Sequence, residues 1–153
     1  MKKVILLVSA LILTAGIKAQ SNKEEIDLMQ SVYGMEKKAM VEEFVKVDPA
    51  QKAAFWQLYD EYETARKDLG KRRIELLEQY ADSYDRLTNE TADAWTKEVL
   101  DLSKKTDALL VSYYNKIKKV TNPIVALQFY QIEGYILSGI RLKILGEIPF
   151  PGK

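Results

Sequence analysis

The sequence predicts an all-α protein of four helices, with two long central ones in an elongated, curved or dimeric arrangement. Three observations carry this. Apolar residues recur at steps of three, four and seven along most of the chain. No stretch alternates like a strand, and no Asn-Gly or Asp-Gly hairpin signal occurs. Breaks in the helical pattern fall on cap-type residues and prolines: Asp48-Pro49, Thr88-Asn89 and Asn122-Pro123. The two middle stripes are too long for a compact four-helix bundle, so they need further partners.

The chain opens with a targeting pattern. Lys2 and Lys3 form a positive n-region, and Val4 to Ile17 is apolar apart from Ser9, Thr14 and Gly16. Ala19 offers a cleavage point that would leave Gln20 first, with cleavage after Gly16 as the alternative. The apolar run is 14 residues, shorter than the roughly 20 needed to span a bilayer. Residues 1–19 are therefore read as a cleaved Sec-type signal peptide, and the mature protein as periplasmic. No Cys follows the apolar run, which excludes a lipid-anchored form. Residues 20–147 form the single helical domain, and 148–153 a short non-helical tail.

Helix one is expected over 22–46. Ser21 and Glu24 suit a capping box. Ile26, Met29, Tyr33, Met40, Phe44 and Val47 follow at helical spacing, and Gly34 weakens the run by about 1 kcal/mol. Helix two is expected from Pro49 to about Arg86, a span of about 50 Å. In Val47-Asp48-Pro49-Ala50-Gln51, Asp48 is the N-cap, Pro49 the first helical residue, and Gln51 closes a capping box. Its stripe is Phe55, Tyr59, Tyr62, Leu69, Leu76, Leu77, Tyr80, Tyr84 and Leu87. Its charged centre, including Asp60, Glu61, Glu63, Arg66, Asp68, Arg72 and Glu75, is read as a solvated face laced by pairs three or four apart. Gly70 marks a possible bend.

Helix three is expected over 90–119, capped by Thr88 or Asn89, with Trp95, Val99, Leu102, Leu109, Tyr113 and Ile117 on one side. Val120-Thr121-Asn122-Pro123 forms the next boundary, with Val120 and Val125 as a hydrophobic staple around Thr121. Helix four runs from Pro123 to about Leu145 and ends on Gly146 as its cap. It is the most apolar helix, which requires burial on more than one side or an exposed apolar surface. The tail places Ile148 and Phe150 where they need a groove.

The chain has neither Cys nor His. That excludes disulfides, thiolate nucleophiles, Ser-His-Asp triads, His-ligated haem and Cys/His zinc sites. No glycine-rich phosphate loop and no paired acid and base are visible, so the chain reads as a non-enzyme. No catalytic, cofactor-binding or metal-ligating residue is assigned. Glu75, Glu78, Asp82 and Asp85 share a side of helix two, but a solvated acidic face explains them better than a cation site, and a di-iron bundle would need His. Removing residues 1–19 takes three of the 23 basic residues, leaving 20 against 22 acidic. A near-neutral exported protein is a poor nucleic-acid binder. The basic clusters Lys71-Arg72-Arg73, Lys104-Lys105 and Lys118-Lys119 read as surface charge or contacts for acidic clients. The nine Tyr supply apolar area with a polar tip, suited to helix interfaces and to loose partner contact.

Val47-Asp48-Pro49-Ala50-Gln51 resembles the Leu-Thr-x-x-Gln motif of the Spy/CpxP group, with Val for Leu and Asp for Thr. Val120-Thr121-Asn122-Pro123-Ile124 resembles a second copy without its Gln. Phe129-Tyr130-Gln131-Ile132-Glu133 and the Ile148-Pro149 ending are similar to sensor-type relatives. The resemblance implies small periplasmic all-α proteins, and ATP-independent chaperones whose two protomers form a cradle-shaped dimer with clients on its concave face. It also implies members that modulate envelope-stress signalling or sense metals through His-rich sites, which this chain lacks. The motif and cap residues are Val47, Asp48, Gln51, Val120 and Thr121. The expected function is a periplasmic Spy-like chaperone binding unfolded or partly folded envelope proteins as a homodimer, without cofactor or nucleic acid. The alternative is a sensor that docks on one membrane regulator of sigma-factor or two-component type. By exposure logic, Ile136, Ile140, Ile148, Phe150, Arg72 and Arg73 are the expected client contacts.

Overall fold

Four helical segments follow one another, and each boundary has a local cause. The structure, a computed structural model, describes residues 36–151. The expected signal segment, the expected Ser21–Glu24 box and the first half of the expected helix one lie outside the described residues. We number the elements α1 (residues 36–44), α2 (Lys52–Ala81), α3 (Asn89–Val120) and α4 (Pro123–Glu147), with a 3₁₀ turn at Tyr84–Arg86 between α2 and α3. No strand occurs among the described residues, and the two long central helices pack along one another. Gly34–Lys153 forms one compact unit.

The start of α2 differs from the expected box. Asp48 Oδ1 accepts the Ala50 N–H at 2.9 Å, but Gln51 and not Asp48 stands at the N-cap of α2, and Pro49 lies in the turn before the helix. The Gln51 N–H then bonds the Asp48 carbonyl at 2.9 Å, which winds Asp48–Gln51 as a single 3₁₀-type turn. Regular helix begins at Lys52, and Gln51 makes no side-chain capping bond. The helix continues unbroken through Gly70 and stops at Ala81, short of Arg86. There Ser83 Oγ donates to the Gln79 carbonyl at 2.6 Å, and Arg86 donates to the Asp82 carbonyl at 2.6 Å. These bonds satisfy orphan carbonyls and close the helix locally.

Thr88 caps α3. Its hydroxyl accepts the Thr91 N–H, and the Thr91 hydroxyl accepts the Thr88 N–H in return. The cap of α4 is Asn122, not Thr121: Asn122 Oδ1 accepts the Ile124 and Val125 N–H groups at 2.9 and 3.0 Å. Pro123 takes the first helical position, which moves the cap to the residue before it. Thr121 instead donates back to the Ile117 carbonyl at 2.7 Å. Val125 is buried in the core while Val120 lies at the surface, so the expected staple is not the device used. Gly146 does not end α4, which runs on to Glu147. The stop is Ile148, at φ −82° and ψ 137°, because Pro149 disfavours a helical residue before it.

The main core joins all four helices: Val41 and Val45 of the α1 segment, Phe55, Tyr59 and Tyr62 of α2, Leu110, Tyr113 and Ile117 of α3, and Val125, Ala126, Phe129, Ile132 and Ile136 of α4. Its centre is a chain of edge-on aromatic contacts, with Tyr62 against Phe129 and Tyr113 at ring distances of 5.2 and 5.5 Å. A second clasp closes the other end of the α2–α3 pair. Tyr80 packs on Trp95 at 4.9 Å, Trp95 Nε1 donates to the Leu76 carbonyl, and the Tyr80 hydroxyl donates to the Pro149 carbonyl.

Candidate functional site: the outer face of the last helix and a buried charge cluster

Helix α4 is the most apolar of the helices, and the fold buries only one side of it. Val125, Ala126, Phe129, Ile132, Glu133 and Ile136 face the core. At 3.6 residues per turn, Ile124, Leu127, Gln131, Tyr135, Ser138, Leu142 and Leu145 fall within an arc of about 80° on the opposite side. The five large ones are exposed: Ile124 by 70%, Leu127 by 48%, Tyr135 by 72%, Leu142 by 76% and Leu145 by 55%. No charged residue lies in that arc. The stripe is uncharged and largely apolar, interrupted in its middle by Gln131 and Ser138.

The expected contact residues divide. Phe150 is exposed. Ile148 is half-buried at the end of α4. Ile136 is buried in the core, and Ile140 packs against it, so neither belongs to the outer face. Both repeat at i+4 and i+7 from core positions Ile132 and Ile136 or Phe129 and Glu133, and that phase turns them inward. Arg72 is spent on Glu75 at 2.9 Å and on Glu98 across to α3. Arg73 is half-buried; burial and then the neighbouring Arg141 hold its pKa below the ordinary arginine value. Of the motif residues, Val47 packs at the core edge and Asp48 caps its turn.

The second feature is charge inside the core. Lys37 Nζ, 1% exposed, bonds Glu63 Oε1 at 2.5 Å and Glu133 Oε2 at 2.6 Å. Arg66 holds Glu63 from the other side with two bonds, at 2.8 and 3.1 Å. Lys37 also lies 5.2 Å from the Tyr62 ring centre and 5.8 Å from that of Tyr59. Two cations and two anions balance, as burial requires. Burial pushes the Glu63 carboxyl up, but the Arg66 bonds and the Lys37 charge outweigh it and hold it below the usual carboxylate range. Glu133 goes the other way: burial is the largest influence, Lys37 opposes it, the Glu63 charge adds to it, and the carboxyl stays above its usual range. Burial, then the Glu133 charge, drives both phenols Tyr59 and Tyr62 far up, so they remain protonated. Glu133 Oε1 and the two phenol oxygens are buried without a hydrogen-bond partner.

Glu63 and Arg66 are therefore not part of the solvated face expected of α2. Their position shows why: Glu63 is i+4 from Tyr59, and Glu133 is i+4 from Phe129, so both stand on core stripes. That phase was the signal available for finding them. The cluster ties the α1 segment to α2 and α4 through bonds among its own side chains. Among the described residues, no three metal-ligating side chains converge, and no helix is long and apolar enough to cross a membrane. Comparison with protein-family models, with curated proteins and with solved structures gave no significant match.

Proposed function

We propose that this chain is an exported, ATP-independent binding protein of the Spy/CpxP kind, which holds apolar stretches of unfolded or partly folded envelope proteins. The observation that carries the reading is the uncharged outer stripe of α4, opposite a well-formed core. A client strand or helix that covers it removes apolar surface from water, worth roughly 25 cal/mol per Å². The contact is shallow and carries only Gln131 and Ser138 as polar groups, so it favours weak binding to many sequences. The positive n-region and short apolar run at the start of the chain support a periplasmic setting, and the protein acts by binding, not catalysis.

The test follows light scattering of a chemically denatured, aggregating model enzyme, without ATP, at rising ratios of the purified protein. Suppression near stoichiometric ratio is expected, and Leu142→Glu with Ile124→Glu should abolish it while helicity is kept. If the folded protein does not suppress aggregation at any ratio, the client reading fails and a dedicated membrane regulator becomes the partner to seek. Because the contact is apolar, suppression should change little with added salt.

A further inference from the structure

The segment after α4 is set in one shape and carries few backbone donors. Pro149 and Pro151 lack an N–H, and each restricts the residue before it to extended backbone. Ile148 shows this, at φ −82° and ψ 137°. Such a segment cannot extend a helix or a sheet through its prolines. Its carbonyls and its ring faces are what another surface can read. Here the Pro149 carbonyl accepts the Tyr80 hydroxyl at 2.7 Å. We propose that the Tyr80 clasp is a docking site for extended proline-containing segments of other polypeptides, and that residues 148–151 occupy it as a displaceable internal ligand.

The clasp has the parts such a ligand needs. Tyr80 contacts two further rings, Trp95 at 4.9 Å and Tyr84 at 6.3 Å, tilted from it by 38° and 30°. Trp95 is fixed by its own indole N–H, which donates to the Leu76 carbonyl at 2.8 Å. Tyr80 is 5% exposed, so packing holds its ring while its hydroxyl reaches the tail. Aromatic surfaces read polyproline-type segments in this way: rings pack on the prolines, and an edge donor takes a carbonyl. A ligand already extended loses little freedom on docking. Among the described residues the Tyr80 hydroxyl has no other hydrogen-bond partner, so a departing tail leaves a donor for an incoming carbonyl.

The tail is also placed to be displaced. Pro149 is exposed and Phe150 is 69% exposed with the bond in place. The segment lies on the clasp and is not enclosed by it. Its advantage is attachment to α4, which gives it an effective concentration on the order of mM. A free segment of the same chemistry overcomes that by abundance or by further contacts. The argument uses no residue of the outer stripe of α4 and does not depend on the client reading.

The probe is the acetylated, amidated peptide Ile-Pro-Phe-Pro-Gly, titrated to about 10 mM, above the tether's effective concentration. The receptor is the full chain as the producing cell processes it, carrying Trp56→Phe so that emission comes from Trp95. A saturable change is expected. It should come at several-fold lower peptide when Ile148→Ser, Pro149→Gly and Phe150→Ser together vacate the clasp. Ile148→Ser alone, outside every helix, gives the same comparison in a smaller step if the triple variant loses helicity. In the vacated background Tyr80→Phe should weaken binding several-fold, and Leu142→Glu on the outer stripe should leave it unchanged. A peptide with both prolines replaced by alanine should bind several-fold more weakly. No saturable response from a folded, vacated chain would overturn the site. Equal affinity in the parent and vacated chains would overturn the tail as its ligand. Indifference to Tyr80→Phe, equal binding of the alanine peptide, or loss of binding in Leu142→Glu would each assign the response to general apolar contact and defeat the proposal. None of these readouts uses an unfolded client, so they fail or succeed separately from the proposed function.

Discussion

Replacing Lys37 by Met removes the one cation shared by Glu63 and Glu133 and leaves a side chain of similar length. Glu63 keeps Arg66 as its partner. Glu133 keeps no bonded cation: its Oε2 loses the 2.6 Å bond to Lys37, and only the neighbouring Tyr62 phenol remains beside it. Breaking a buried pair by removing one member costs about 3–5 kcal/mol. In a unit of this size, Gly34–Lys153, each kcal/mol lowers Tm by about 4 °C, so the expected loss is about 12–20 °C. Thermal unfolding followed by far-UV circular dichroism measures it. The double variant Lys37→Met/Glu133→Gln removes the stranded anion as well and should recover part of the loss. A Lys37→Met protein that melts within a few degrees of the parent would refute the buried cluster, and so would a double variant that melts lower than the single one.

Four further outcomes follow from the same description. Stability should depend on pH with two opposed signs. Glu133, raised in the folded state, favours folding as pH falls through its folded value toward the free-Glu value near 4.3, whereas Glu63, lowered, withdraws its contribution as pH falls from there through its own folded value. Denaturant titrations over a pH series should show the first limb vanish in Glu133→Gln and the acid-side loss shrink in Glu63→Gln. Asn122→Ala should cost about 1 kcal/mol by stripping the cap from α4, while Thr121→Ala costs less, read from denaturant midpoints. Tyr80→Phe should cost about 0.5–1.5 kcal/mol and raise hydrogen exchange around residues 148–151, because the Pro149 carbonyl loses its donor. Leu142→Glu should leave the melting temperature within about 2 °C of the parent, since exposed substitutions stay within about 0.5 kcal/mol.

The fold was legible where its causes are local. Asn89–Val120 lies within a residue of the expected helix three because Thr88 and Thr121 act on their own neighbours. The ends of α2 were harder. Asp48 accepts a backbone N–H as expected, but it closes a separate turn, and Gln51 takes the N-cap position of α2. At the far end, the Ser83 hydroxyl competes with the backbone for the Gln79 carbonyl, a weak signal beside continued apolar periodicity. On α4 the excess of apolar residues was plain, but its rotation was not. Ile136 and Leu142 are equally greasy in the sequence, and only the packing of Phe129 against α2 decides that one turns in and the other out. Glu63, Arg66 and Glu133 read as surface because charged residues are seldom buried. Their phase on the core stripes argued otherwise, and Lys37 had no signal beyond its place three or four residues before Met40 and Val41.

The two tryptophans of the chain mark opposite ends of the α2–α3 pair, Trp56 on α2 and Trp95 on α3. Trp56 packs edge-on against Phe55 and Tyr59, with the Lys38 ammonium 5.1 Å from its ring. Trp95 lies on Tyr80, about 36 Å away along the helix rise from position 56 to position 80. Each is therefore a native fluorophore for its own end: one beside the core that holds the charge cluster, the other beside the clasp that holds the tail. With Trp56→Phe or Trp95→Phe, intrinsic emission and its quenching by iodide become separate records of the two ends. A stopped-flow trace from each variant then tells whether the hairpin opens from the tip or from the base, without any label attached to the protein.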